Sequence, residues 1–290
     1  MRKSKKVKDL FFWLFLSPIL LAFLFVIVVP LFYGIYYSFT NWNGIGTPVF
    51  KGFSNYVKIL SDIDFRNSIF FTVKFVIASV IIINITGLTL ALLVTQEIKG
   101  KTLFRTIFFM PNLIGGLILG FIWQFVFLES FNAIGEAIGF EALKGWLSTT
   151  NTGFWGLIIL TTWQMSGYIM IIYIAYLEGV PQELIEAAKI DGANPFQILW
   201  NIIFPLVAPA FTVSMFLTLS NSFKLYDQNL SLTGGAPFKS TQMIAMNIYN
   251  TAFSDNKMAY AQSKAILFFI VVATISLIQV YYNKKREVEL

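Results

Sequence analysis

Six stretches of this chain are long and apolar enough to cross a bilayer, and nothing else in the sequence limits its fold as strongly. A spanning helix needs roughly 20 apolar residues. The runs at about 10–39, 69–95, 103–128, 154–177, 206–223 and 264–282 approach or exceed that length. Pro205 and Pro209 blur the start of the fifth, and Pro18 and Pro30 mark kinks in the first. The first run is too long for a signal peptide and has no small-residue cleavage site, so it reads as a span. The expected fold is all-α: a polytopic membrane protein of about six transmembrane helices in a single domain, 1–290. Composition agrees, because 12% of residues are charged against about 25% in a soluble domain.

Charge sets the expected orientation. Lys and Arg are denser in segments 1–9, 96–105, 179–205 and 283–290 than in 40–67, 129–153 and 224–264. By the positive-inside rule the first set is cytoplasmic, and with it both termini. The net charge of +6 is explained by this distribution, so nucleic acid is not expected as a partner. With no cysteine there is no disulfide framework or thiolate chemistry, and with no histidine the commonest proton shuttle is missing. Gly100-Lys101-Thr102 looks like the end of a phosphate-binding loop, but Thr95 stands where that loop requires glycine.

Between the fourth and fifth spans, segment 179–205 reads as soluble helix. Glu186-Ala187-Ala188-Lys189-Ile190-Asp191 leads to Gly192, where glycine permits a sharp turn. A second helix then has its own start signal, with Asn194 as cap and Pro195 in the first helical position. The segment is expected to be a cytoplasmic helix-turn-helix. Glu183, Glu186 and Asp191 outweigh Lys189, so it suits a protein surface better than an anionic lipid surface.

The spans lack deep Asp, Glu, Arg or His, which argues against a proton relay. They do carry neutral polar groups. Trp123-Gln124 and Trp163-Gln164 each set an indole beside an amide, and Asn221 and Phe223 close the fifth run, with Tyr226 and Asp227 just beyond. Aromatic faces and amides suit a neutral polyhydroxylated solute, while buried amides also serve as bonds between helices. Both readings stay open here.

Glu186-Ala187-Ala188, Gly192, and Ile202 with Phe204-Pro205 resemble the EAA motif of importer permeases of the ATP-binding-cassette class; Phe204 stands where that motif usually has Leu. Phe50 to Tyr56 resembles a first-outer-loop motif of the sugar branch. Arg105 with Met110-Pro111, and Phe223 to Asp227 followed by Leu232 to Pro237, are similar to further motifs of the maltose and glycerol-3-phosphate type. The likeness continues through Tyr249, Phe253 and Tyr260-Ala261, although Ala259 replaces a common glycine.

This resemblance implies a non-catalytic permease subunit of a bacterial or archaeal cytoplasmic membrane, surrounded by lipid and paired with a second homologous permease. Two ATPase subunits would carry ATP and Mg, with no cofactor on this chain, and an extracytoplasmic binding protein would deliver a carbohydrate. Glu186, Ala187, Ala188, Asp191, Gly192 and Pro205 would couple the chain to an ATPase. Trp123, Gln124, Trp163, Gln164, Asn221, Phe223, Tyr226 and Asp227 are the candidates for the solute path. The alternatives are the same assembly importing glycerol-3-phosphate or another small solute, and a stand-alone secondary transporter.

Overall fold

The computed structural model describes residues 2–96 and 99–285, with residues 2–10 as backbone only. Met1, residues 97–98 and residues 286–290 all belong to segments expected to be cytoplasmic, and they lie outside the described residues. The described chain is helical throughout, with one isolated bridge between Thr40 and Phe50. It divides into two compact units, residues 2–62 with 248–269, and residues 63–247 with 270–285.

The first unit is built on a long apolar helix. Arg2–Phe23 (α1) passes through a π turn at Leu24–Val28 into Val29–Ser38 (α2). Residues 11–38 form one candidate span whose most apolar stretch has no buried residue, as befits a helix bathed in hydrocarbon, and burial begins only near its end, at Gly34 and Ser38. The last carbonyls of any helix lack partners. Here Asn55, in Ser54–Leu60 (α3), donates to the Ser38 and Thr40 carbonyls at 2.8 Å each, and the Tyr56 hydroxyl meets Ser38 Oγ at 2.7 Å. The Phe50 to Tyr56 motif is therefore the clasp that ends the first span. Ile244–Tyr249 (α14 in chain order) leads through a π turn into the final helix, Met258–Lys284 (α15); residues 248–269 of this stretch belong to the first unit. The Ala259 amide donates to the Trp42 carbonyl at 2.8 Å. Asp62 and Lys264 form an ion pair of 2.9 Å, with Lys264 only 3% exposed; Lys264 also donates to Thr251, and Tyr260 to Asp62.

The second unit is centred on Ile63–Val94 (α4) and Thr150–Leu177 (α8). They cross closely: a Cβ on Gly87 of α4 would stand 2.8 Å from Ile169 of α8. Lys101–Phe109 (α5) lies against the other side of α8, where a Cβ on Gly167 would overlap the Phe108 carbonyl. Side chains are excluded at that contact. Gly116–Phe125 (α6) continues through a π turn into Phe131–Ile138 (α7). Gln182–Ile190 (α9), Pro195–Ile198 (α10) and Phe204–Leu206 (α11) precede Ala208–Phe223 (α12), and Asp227–Leu232 (α13) follows it.

The spans differ from expectation in two places. The third run does not cross as 103–128. Met110–Leu113 forms a 3₁₀ turn around Pro111, which lacks an N–H, and Ile114 is extended. A candidate span starts afresh and covers Gly116–Ile138. The fifth, expected at 206–223, contains a 16-residue helix; Pro195–Leu206 and Ala208–Phe223 meet at 68°, a bend that fits either a broken span or a re-entrant loop. Among the described residues, five helices are long and apolar enough to cross alone, or six with this pair. Lys264, which the sequence left at the edge of the last run, is inside the helical segment and buried.

A buried hydrogen-bond network ties three of these helices. The Tyr173 hydroxyl of α8 donates to Asn84 Oδ1 of α4 at 2.9 Å and accepts from Ser214 of α12 at 2.8 Å; Asn84 also donates to Thr218 at 3.0 Å. These neutral groups are the interhelical bonds foreseen as one reading of the polar span residues.

Candidate solute cavity and coupling loop

The α9–α10 segment is organised by its caps. The α9 helix ends in a paired 6→1 and 5→2 hydrogen-bond pattern: Ala193 N–H to the Ala188 carbonyl at 2.9 Å, and Gly192 N–H to the Lys189 carbonyl at 3.1 Å. This turn needs a left-handed residue, and Gly192 has φ +79°. Nothing lies within 4 Å of a Cβ placed there, so the requirement is conformational rather than spatial. Asn194 Oδ1 accepts from Gln197 N–H at 2.9 Å and Gln197 Oε1 accepts from Asn194 N–H at 2.8 Å, completing a capping box before Pro195.

Glu186, Ala187, Asp191 and Gly192 are exposed, while Ala188 and Pro205 are half-buried. The departure at Phe204 has a packing role. Its ring meets Trp200 at 4.8 Å and Phe211 at 5.8 Å between centroids, and Phe211 in turn meets Tyr173 at 5.1 Å. Aromatic edges and faces thus run unbroken from the second loop helix to the buried Tyr173 network. Arg105 of α5 ties the start of the same segment by a 2.6 Å ion pair to Glu178.

The predicted path residues separate into three groups. Gln164, Asn221, Tyr226 and Asp227 line one polar cavity of about 320 Å³, together with Asn112, Lys224 and Gln228. Its volume is at the lower end of the range for ligand sites. Trp123 and Trp163, whose rings meet edge to face at 5.7 Å, instead border an apolar hollow of about 800 Å³. Gln124 donates to the Leu232 carbonyl at 3.2 Å and Phe223 is buried; neither lines the polar cavity. The tryptophan–amide pairs therefore split. Consecutive helix residues point about 100° apart, so neighbours in sequence serve different surfaces.

Within the polar cavity Gln164 donates to the Ile114 carbonyl at 3.1 Å and accepts from Gln228 at 2.8 Å. The extended residue after the Met110–Leu113 turn thus anchors the Gln164 amide from outside the cavity lining. Asn112 was missed although it lies inside the assigned run 103–128, and Gln228 because it sits just past the Phe223 to Asp227 motif; Pro111 beside Asn112 was the available signal. Lys224 contributes a cation and Asp227 an anion, so the lining has no net sign. Among the described residues no group of His, Asp or Glu is arranged to hold a metal.

A helical polytopic bundle with a sharply bent helix pair, a capped two-helix loop and a polar cavity has the parts of a membrane component of a transport system. The family described as "Binding-protein-dependent transport system inner membrane component" matches residues 83–288, and this chain belongs to it. A relative from Thermoanaerobacterium thermosulfurigenes, the probable starch degradation products transport system permease protein AmyD, is 58% identical over 100% of this chain and 99% of its own length. The multiple sugar-binding transport system permease protein MsmF of Streptococcus mutans is 34% identical, covering 95% of this chain and 96% of its own. Among solved structures, a chain of a bacterial importer of the acidic polysaccharide alginate superposes with a TM-score of 0.84 over 98% of this chain and 99% of that one, at 20% identity. That likeness supports the fold.

Proposed function

We propose that this multi-pass membrane protein is a permease subunit of an ATP-driven sugar importer, with the α9–α10 loop seated in a groove of an ATPase subunit. In this reading a second permease completes the pore, and ATP with Mg is bound and hydrolysed on the partner ATPases. An extracytoplasmic binding protein delivers the solute, and the loop is cytoplasmic. The observation that carries the reading is a capped, exposed helix pair that follows α8 in the chain and leads through α11 into α12, the two helices that contribute Gln164 and Asn221 to the polar cavity. Displacement of the loop is then displacement of the cavity walls.

The coupling role falls to Glu186, Ala187, Ala188, Asp191, Gly192 and Pro205, and the solute role to Gln164, Asn221, Tyr226 and Asp227. Amides and one tyrosine ring without net charge suit a neutral carbohydrate. Relatives named for starch degradation products and multiple sugars support that class. Lys224 favours a second reading, an anionic solute such as glycerol-3-phosphate, and Asp227 on the same cavity weighs against it. The test is the purified complex in nanodiscs, with its ATPase rate measured against a panel led by starch degradation products and including glycerol-3-phosphate. Gly192→Val should insert normally yet lose solute uptake, because a β-branched residue resists φ +79°. Full uptake by that variant would refute the coupling role.

A further inference from the structure

After α13 the chain makes a loop whose tip is Phe238, as exposed as in an extended peptide at 102%. Phe238 and Lys239 are both left-handed, with φ 49° and 61°. That conformation is rare for a bulky residue and persists only where the surroundings enforce it. The enforcing frame is visible. Asn229, fully buried on α13, donates to the Thr241 carbonyl at 2.8 Å and accepts from Met243 N–H at 3.0 Å. Thr241 donates to the Ala236 carbonyl at 2.7 Å, Thr150 to Ser240 at 2.6 Å, and Lys239 to Asp64 at 2.8 Å. A fully exposed hydrophobic ring thus projects from a loop whose backbone is pinned from both sides.

Its place in the fold names the side it serves. Thr150 is the first residue of α8, while the α9–α10 loop leaves from the far end of that helix, after Leu177. At 1.5 Å per residue the two ends are roughly 40 Å apart. The Phe238 loop and the coupling segment therefore stand at opposite ends of the bundle. The same α13 that frames the loop begins with Asp227 and Gln228 of the polar cavity.

We infer that Phe238 is the anchor by which this permease engages its extracytoplasmic solute-binding protein, with its ring entering an apolar pocket of that partner and the Lys239–Asp64 pair at the rim. The inference rests on the importer reading above, which puts the coupling end inside the cell. A pinned backbone loses little freedom on docking, and a single aromatic buried at the centre of an interface dominates its affinity. A lipid surface would demand neither a pinned nor a strained backbone, and would favour a cluster of basic or aromatic side chains in place of one ring beside a paired charge.

The test uses the complete importer in nanodiscs, titrated with the solute-loaded binding protein purified from the same cells, reading half-maximal ATPase stimulation. Phe238→Asn keeps a residue that tolerates the left-handed backbone and removes the ring. It should raise the half-maximal concentration about tenfold or more, and the ring-keeping Phe238→Tyr should stay within about threefold of the native complex. A matching melting curve for Phe238→Asn excludes loop collapse as the cause. A native-like titration of Phe238→Asn, or a loss that appears in nanodiscs but vanishes in detergent and so reports lipid, would overturn the inference while leaving the importer reading intact. If the native complex itself shows no stimulation by the binding protein, the importer reading falls first.

Discussion

Replacing Lys264 with methionine removes a cation that is almost wholly out of water, 2.9 Å from Asp62. At an effective dielectric constant near 20, that separation gives a gross attraction of about 6 kcal/mol. Most of it offsets the cost of taking two charges out of water. What remains after the substitution is a carboxylate, 18% exposed, that keeps the Tyr260 hydroxyl at 2.7 Å but has lost the ammonium. Breaking a buried pair from one side costs about 3–5 kcal/mol. For a protein of this size the apparent melting temperature should fall by roughly 10 °C. The double variant Asp62→Leu/Lys264→Met removes both charges and should regain most of the loss, since an apolar pair of similar volume needs no counter-charge. Tryptophan-fluorescence melting of the purified protein in one detergent, for native, both single variants and the double, completes the cycle. If Lys264→Met melts with the native protein, or the double variant is additive with the singles, the ion pair does not stabilise this unit as argued.

Other outcomes follow from contacts already described. Gly167→Leu drives a side chain into the Phe108 carbonyl and should cost more than the roughly 1–3 kcal/mol of ordinary overpacking, seen as lost monodisperse yield after extraction. Tyr173→Phe keeps the ring but removes the hydroxyl between Asn84 and Ser214; a loss of about 1 kcal/mol is expected, measured as a small drop in melting temperature. Asn229→Ala deprives the Thr241 carbonyl and the Met243 amide of their partner at a buried site, at a cost of about 2–3 kcal/mol, and should speed hydrogen exchange at Met243.

Helical class, the apolar runs and the loop caps were legible because each rests on local chemistry. Asn194, Pro195 and Gly192 do in the structure what their residue types dictate in any helix pair. The break near Pro111 was also written locally, but hydropathy averaged over the run concealed it. What could not be read was direction around each helix. Trp163 and Gln164 are neighbours in sequence yet face different cavities, and only packing against α4, α5 and α13 decides which face is which. The Asp62–Lys264 pair joins residues about 200 positions apart, a distance that no window along the chain spans. That Phe204 departs from the usual Leu is plain in the sequence, but the partners of its ring, Trp200 and Phe211, are set by packing.

In the polar cavity, Gln164 spends its amide on Gln228 and on the Ile114 carbonyl. In the proposed reading, a sugar hydroxyl that takes Gln164 as its partner replaces a bond of nearly equal strength, so that exchange yields little net free energy. For an enzyme pocket that would be a poor arrangement. For the carrier proposed above it would set a shallow well along the route, enough to orient the passenger without detaining it.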